Sequence, residues 1–227
     1  MGGRSGSSGI GGGGNISKYV KETQGVGRID LTDNPLQYGP KDYSTNSKVR
    51  SAAEKFAEKY KKARVEHVAA IDKNGKMIEE RVGDEHSASL SNKTMRNAVE
   101  ITHNHPGATG YLSGSFSEAD ISSFSSYSNV RTMKAEGKEG TYSITKKAGF
   151  NADGLKNYMG RERSRHQTQR DTRLTQLKNM RDSGKMSEAK YRAEKIKATN
   201  KYLVDMHNSY INGQKQYGYA YTLSRRK

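Results

Sequence analysis

The spacing of apolar residues divides this chain into stretches of different period. Ala53, Phe56, Ala57 and Tyr60 recur at helical spacing among lysines and glutamates, which predicts an amphipathic helix. Ser51-Ala-Ala-Glu54 reads as a capping box, so the helix is expected to begin there. The period then shortens to two. Residues 65–71 and 76–82, joined by Asp72-Lys-Asn-Gly75, predict a β-hairpin, because Asn74 and Gly75 tolerate the positive φ of a tight turn. A weaker strand is expected over 86–90, and another over 98–102 leads into His103 and His105. Ile121, Phe124 and Tyr127 predict a second helix capped by Ser117, and 130–135 with 141–145 predict a second hairpin turning at 137–140.

From about Asn151 the texture becomes that of long charged helix. Leu174, Leu177 and Met180 form a narrow apolar stripe, Ser183-Gly184-Lys185 interrupts it, and Ser187 restarts a helix with Tyr191, Ile196, Tyr202, Leu203 and Met206 inward. The tail, QYGYAYTLSRRK, alternates tyrosine with small residues and reads as a closing strand. Three regions follow: an irregular or disordered arm over 1–46, an α/β domain with a mixed sheet over 47–150, and a basic helical hairpin with a short terminal strand over 151–227.

Composition supports that division. Only 31% of the residues are hydrophobic and 24 are glycine, so part of the chain must be solvated or partner-dependent. The opening MGGRSGSSGIGGGGN is Gly/Ser low complexity that can bury almost nothing. Cysteine is absent, which excludes disulfides and thiolate metal sites and fits a cytoplasmic protein. No apolar run is long enough for a membrane helix, and no membrane partner is expected. The net charge of +16 attracts polyanions, and roughly +12 of it lies beyond Leu155. That segment is therefore a candidate contact for nucleic acid or a capsid.

The candidate chemistry is concentrated in ITHNHPGATGYLSGSFSEAD, residues 101–120. On extended backbone, side chains two residues apart point to one side, so His103 and His105 can reach a single point. Zinc in catalytic sites takes three protein ligands of His or carboxylate type and leaves a fourth position to water, and His103, His105 and Asp120 complete such a set. At the first turn of a helix, Asp120 would also be favoured by free backbone N–H groups.

HNHP followed by Ser117-x-x-Asp120 resembles the signature of the JAB1/MPN/Mov34 (JAMM) metalloenzymes, and Asn104 between the histidines is similar to the bacterial RadC-type and phage-associated branches. The resemblance covers roughly residues 50–146. It implies a mixed sheet sandwiched by helices, a layout also found in cytidine deaminases, and a zinc metallopeptidase or isopeptidase acting on a peptide or protein substrate. It also implies that a glutamate on an upstream strand acts as general base, for which Glu66 is the best match, and that Ser117 assists the oxyanion. Glu79, Glu80, Glu85 and Glu100 compete with Glu66. Of these, Glu100 should share a face with Asn104, opposite the histidines. The connection from Pro106 to Ser117 holds about ten residues where the family pattern has about six. Taking Ser113 as the serine would put Phe116 on the ligand position, so 107–114 is read as a loop insertion.

Rival readings remain from other classes. The basic C-terminal segment motivates a nucleic-acid or capsid-associated binding protein of phage or mobile-element origin, acting in a host cytoplasm, whose metal site is vestigial. The same ligands also suit a metal-dependent nuclease. Each site residue has a plainer role available as well: Ser117 as a helix cap, Glu66 as an exposed strand residue, and His67, His86, His166 and His207 as surface or packing residues.

Overall fold

The computed structural model describes residues 2–3, 36–37, 39, 46–84 and 87–225, so most of the expected N-terminal arm and the weak-strand residue His86 lie outside the described residues. In chain order the elements are β1 (Gly2–Gly3), α1 (Ser47–Tyr60), β2 (His67–Ile71), β3 (Met77–Val82), β4 (Ser87–Ala88), α2 (Asn92–Met95) and β5 (Glu100–Asn104). They continue with α3 (Glu118–Ser126), β6 (Thr132–Gly137), β7 (Gly140–Lys146), α4 (Ala152–Asp182), α5 (Glu188–Tyr217) and β8 (Tyr219–Ser224). Six strands form one mixed sheet in the order β3-β2-β5-β6-β7-β8. Only the β5/β6 pair is parallel. The α/β class is as expected. A separate two-stranded pairing joins β1 to β4, so the anticipated strand over 86–90 is short and stands outside the main sheet.

Strand alternation divides the sheet into two faces. Val68, Ala70, Ile101, Met133, Ala135, Tyr142, Ile144, Tyr221 and Leu223 point into the main core, where α3, α4 and α5 contribute Ile121, Phe124, Leu155, Met159, Met206 and Tyr210. Each fully buried Val, Ile, Leu, Phe or Met side chain among these contributes about 1.5–3 kcal/mol through removal of apolar surface from water. The opposite face is more polar. There α1 packs Val49 and Ala53 on Ile71, and the buried Lys134 Nζ lies 3.0 Å from Glu100 Oε1.

Three sequence expectations are corrected. Helix α1 starts at Ser47, four residues before the supposed capping box, because Asn46 accepts the Val49 N–H at 3.0 Å and so serves as the cap; Ser51 and Glu54 lie inside the helix. Of the Leu174, Leu177 and Met180 stripe only Leu177 is buried, since α4 meets α5 along a narrow line and leaves Met180 exposed. The C-terminal segment, expected as a region of its own, shares the core and the sheet of the α/β domain. Leu155, Met159, Met206, Tyr210 and Tyr219 belong to the main core, and β8 completes the sheet beside β7.

Candidate metal centre

Strand β5 sets the position of the histidines. It pairs with β2, where Val68 stands opposite His103, and with β6 in parallel. His105 follows directly after the strand and stays aligned because its N–H donates to the Glu136 carbonyl at 2.8 Å. The next residue, Pro106, has no N–H to donate, so the ladder ends there. The two imidazole Nε2 atoms consequently stand 2.9 Å apart.

Helix α3 brings the third group. Ser117 caps it in a full capping box: its hydroxyl accepts the Asp120 N–H at 3.1 Å, and Asp120 Oδ2 accepts the Ser117 N–H at 2.7 Å. This reciprocal pair locks the carboxylate rotamer and aims the other oxygen inward. Asp120 Oδ1 lies 3.5 Å from His103 Nε2, and Asp120 Oδ2 lies 4.0 Å from His105 Nε2. Burial alone drives a carboxyl pKa up, but the adjacent His103 and His105 rings and the Ser117 N–H outweigh it and hold Asp120 well below the usual carboxylate range.

Two observations indicate that the set suits a cation. Asp120 Oδ1 is fully buried and receives no hydrogen bond, which is costly for a carboxylate oxygen in a dry interior. His105 Nδ1 sits 3.1 Å from the Gly114 carbonyl, so its proton belongs there and the Nε2 lone pair faces His103 Nε2 at 2.9 Å. In addition, one ligand atom from each of His103, His105 and Asp120 lies within 4.8 Å of the others. A tetrahedral shell with bonds of about 2.0–2.2 Å needs ligand atoms about 3.3 Å apart, a spacing that small side-chain shifts provide here.

Glu66 immediately precedes β2. Because Val68 pairs with His103, carrying that antiparallel register two residues beyond the ladder sets Glu66 across from His105, on the same face of the sheet as Val68. It is buried and lies outside the three-residue ligand group. The competing acids are committed elsewhere: Glu79 to Arg81, Glu80 to Lys59, and Glu100 to Lys134 on the opposite face; Glu85 lies outside the described residues. Among the lone histidines, His207 is buried between the Tyr221 hydroxyl and the Gln37 carbonyl, His166 lies near Ser209 and Glu162, and His67 stacks on Tyr60.

The loop between Pro106 and Ser117 is pinned from two sides. Leu112 N–H donates to Asn200 Oδ1 at 2.9 Å, and Asn200 Nδ2 donates to the Gly110 carbonyl at 2.9 Å. Ser113 is held from the other side, its N–H by Glu139 and its hydroxyl by the Lys138 N–H. The Phe116 carbonyl accepts from Tyr210 and Arg163. As a result none of Glu66, His103, His105, Ser117 and Asp120 exceeds 5% exposure. Sequence reading missed these supports. It also missed Asn104, whose Oδ1 accepts the His67 N–H at 2.7 Å and whose Nδ2 donates to the Val65 carbonyl at 3.0 Å, bracketing Glu66. The alternation that sets Asn104 opposite the histidines was a usable signal for it; nothing local marks Asn200.

Comparison of the chain with protein-family models, with curated proteins and with solved structures found no match in any of the three.

Proposed function

We propose that this chain is a metal-dependent hydrolase of JAB1/MPN/Mov34 type that cleaves a peptide or isopeptide bond. The observation that carries the reading is the buried convergence of His103, His105 and Asp120, with one imidazole tautomer set by the Gly114 carbonyl and one carboxylate oxygen lacking a donor. These three would hold the ion, and the all-N/O ligand set and the family resemblance favour zinc. Zinc bound there supplies Lewis acidity, which polarises a carbonyl and lowers the pKa of water.

The remaining work falls to the protein's own groups. Glu66, on the histidine face of the sheet, takes a proton at its carboxylate from the water that attacks the carbonyl and returns it to the departing amine. The Ser117 hydroxyl accepts the Asp120 N–H, which leaves its own O–H to donate to a developing oxyanion. Asn104 holds the backbone on both sides of Glu66, fixing where that carboxylate starts. Because the centre is closed, entry of a substrate requires displacement of loop 107–116, where Gly110 and Gly114 adopt φ of 83° and 80°.

The test is amide cleavage by zinc-supplemented full-length protein, using a peptide library and a set of Lys-linked isopeptides, with and without chelator. Chelator-sensitive cleavage that is lost in Asp120→Ala, and lost in Glu66→Gln without loss of bound zinc, is expected. Cleavage that persists in Glu66→Gln at the original rate contradicts the assignment of the base. Metal-dependent cleavage of phosphodiesters alone contradicts the choice of bond.

A further inference from the structure

Helices α4 and α5 run 31 and 30 residues, so each spans about 45 Å at 1.5 Å per residue. They enter the main core only near the sheet, through Leu155 and Met159 of α4 and Met206, Tyr210 and Tyr217 of α5. Further out they pack on each other, with Leu177 and Ile196 buried and Arg181 over Tyr191. The hairpin thus has an outer part that the α/β domain does not need for its own core.

Charge on that outer part is unevenly satisfied. Its acids are already engaged: Glu162 with Arg165, Asp171 with Arg170, Asp182 with Arg181, Glu188 with Arg192 and Glu194 with Arg173. Lys178, Lys185 and Lys190 are exposed, sit just before the last turn of α4, in the connection and in the first turn of α5, and have no carboxylate partner among the described residues. The exposed side of α4 interleaves uncharged hydrogen-bonding groups with its arginines, including Ser164, Thr168, Gln169, Thr172, Gln176 and Asn179. Side chains of these types, with lysine and arginine, make most protein contacts to nucleic-acid phosphates and sugars. A membrane-surface helix needs instead a broad apolar face, and Met180 is the one large apolar residue exposed on the hairpin among the described residues.

We propose that the α4–α5 hairpin is a nucleic-acid-binding arm that engages the sugar–phosphate backbone without sequence preference, with Lys178, Lys185 and Lys190 at its turn as phosphate-binding groups. The inference stands independently of the hydrolase reading.

The experiment measures fluorescence anisotropy of a labelled 30-base-pair DNA duplex, and separately of a 30-nucleotide RNA, titrated with the full chain from 50 to 200 mM salt. The expected result is binding that weakens steeply with salt. A Lys178→Gln/Lys185→Gln/Lys190→Gln variant should lower the duplex salt slope by about 2.7, at about 0.9 for each phosphate that is no longer neutralised. A variant with equal charge loss on α1 and the turn after it, Lys48→Gln/Lys55→Gln/Lys62→Gln, should keep the original slope. Circular dichroism on both variants checks that the helices persist. Binding of DNA alone or RNA alone identifies the source of the phosphates. The proposal is overturned if neither nucleic acid binds, if both triple variants lower the slope equally, or if anionic phospholipid vesicles bind where nucleic acid does not.

Discussion

Asn200 joins the helical hairpin to the loop beside the candidate metal centre, so its removal should release that loop without unfolding the sheet. The side chain is 2% exposed and makes two hydrogen bonds to loop backbone, from Leu112 N–H and to the Gly110 carbonyl, each 2.9 Å. Asn200→Ala leaves both backbone groups without their partner, and each buried unsatisfied group costs about 1–3 kcal/mol. Water entering the vacated space recovers part of this, so the expected weakening of the loop anchor is about 2–4 kcal/mol. At about 1.4 kcal/mol per factor of ten, the loop should open about 30-fold to 1,000-fold more often. Hydrogen exchange followed by mass spectrometry reads this directly in peptides covering 107–116, with the β6–β7 hairpin as internal reference. Asn200→Asp keeps an acceptor for Leu112 N–H but turns a carboxylate oxygen on the Gly110 carbonyl, and should open the loop at least as often as Asn200→Ala. Unchanged exchange in the loop, or an equal rise in the reference hairpin, would refute the idea that Asn200 acts as a local latch.

Two further outcomes follow from single residues. Asn104→Asp retains an acceptor for His67 N–H and loses the donor to the Val65 carbonyl; it should reduce turnover at least tenfold while zinc binding stays near the original affinity, since His103 and His105 keep their own supports. A parallel fall in zinc affinity would show that Asn104 shapes the ligands instead. Burial holds the His207 pKa below its ordinary value of 6.5, against the opposing pull of the Gln37 carbonyl. Because the folded pKa is the lower one, this residue's stability contribution is present above pH 6.5 and is lost as pH falls below it. Thermal melts should therefore show Tm falling less between pH 7.5 and pH 5 in His207→Gln than in the parent chain; identical falls contradict this.

How far the sequence could be read depended on whether a feature was local. The two hairpins were legible because alternation and Asn74-Gly75 or Gly137 to Gly140 specify strands and turns within a few residues. The same alternation identified the face shared by His103 and His105 and the contrary face of Glu100. Ser117 was legible as a cap because a capping box spans four residues. Where a rule was satisfied twice, local reading failed: Asn46 and Ser51 both suit a helix start, and packing of Val49 on Ile71 favours the earlier one. Long-range facts left no local trace. The link from Asn200 to Gly110 crosses 90 residues, and the entry of Tyr210 and Tyr219 into the main core depends on a return of the chain that the charged surface of α4 does not announce.

The central claim, that three side chains close on one ion, is tested most directly by adding zinc to the metal-free protein and recording binding heat together with the zinc X-ray absorption spectrum. One zinc per chain is expected, with two imidazole nitrogens and oxygen ligands at about 2.0–2.2 Å, and with affinity lowered at least about 100-fold in His103→Ala, His105→Ala and Asp120→Ala. Zinc bound equally well by all three variants, or no zinc bound by the parent chain, would contradict it.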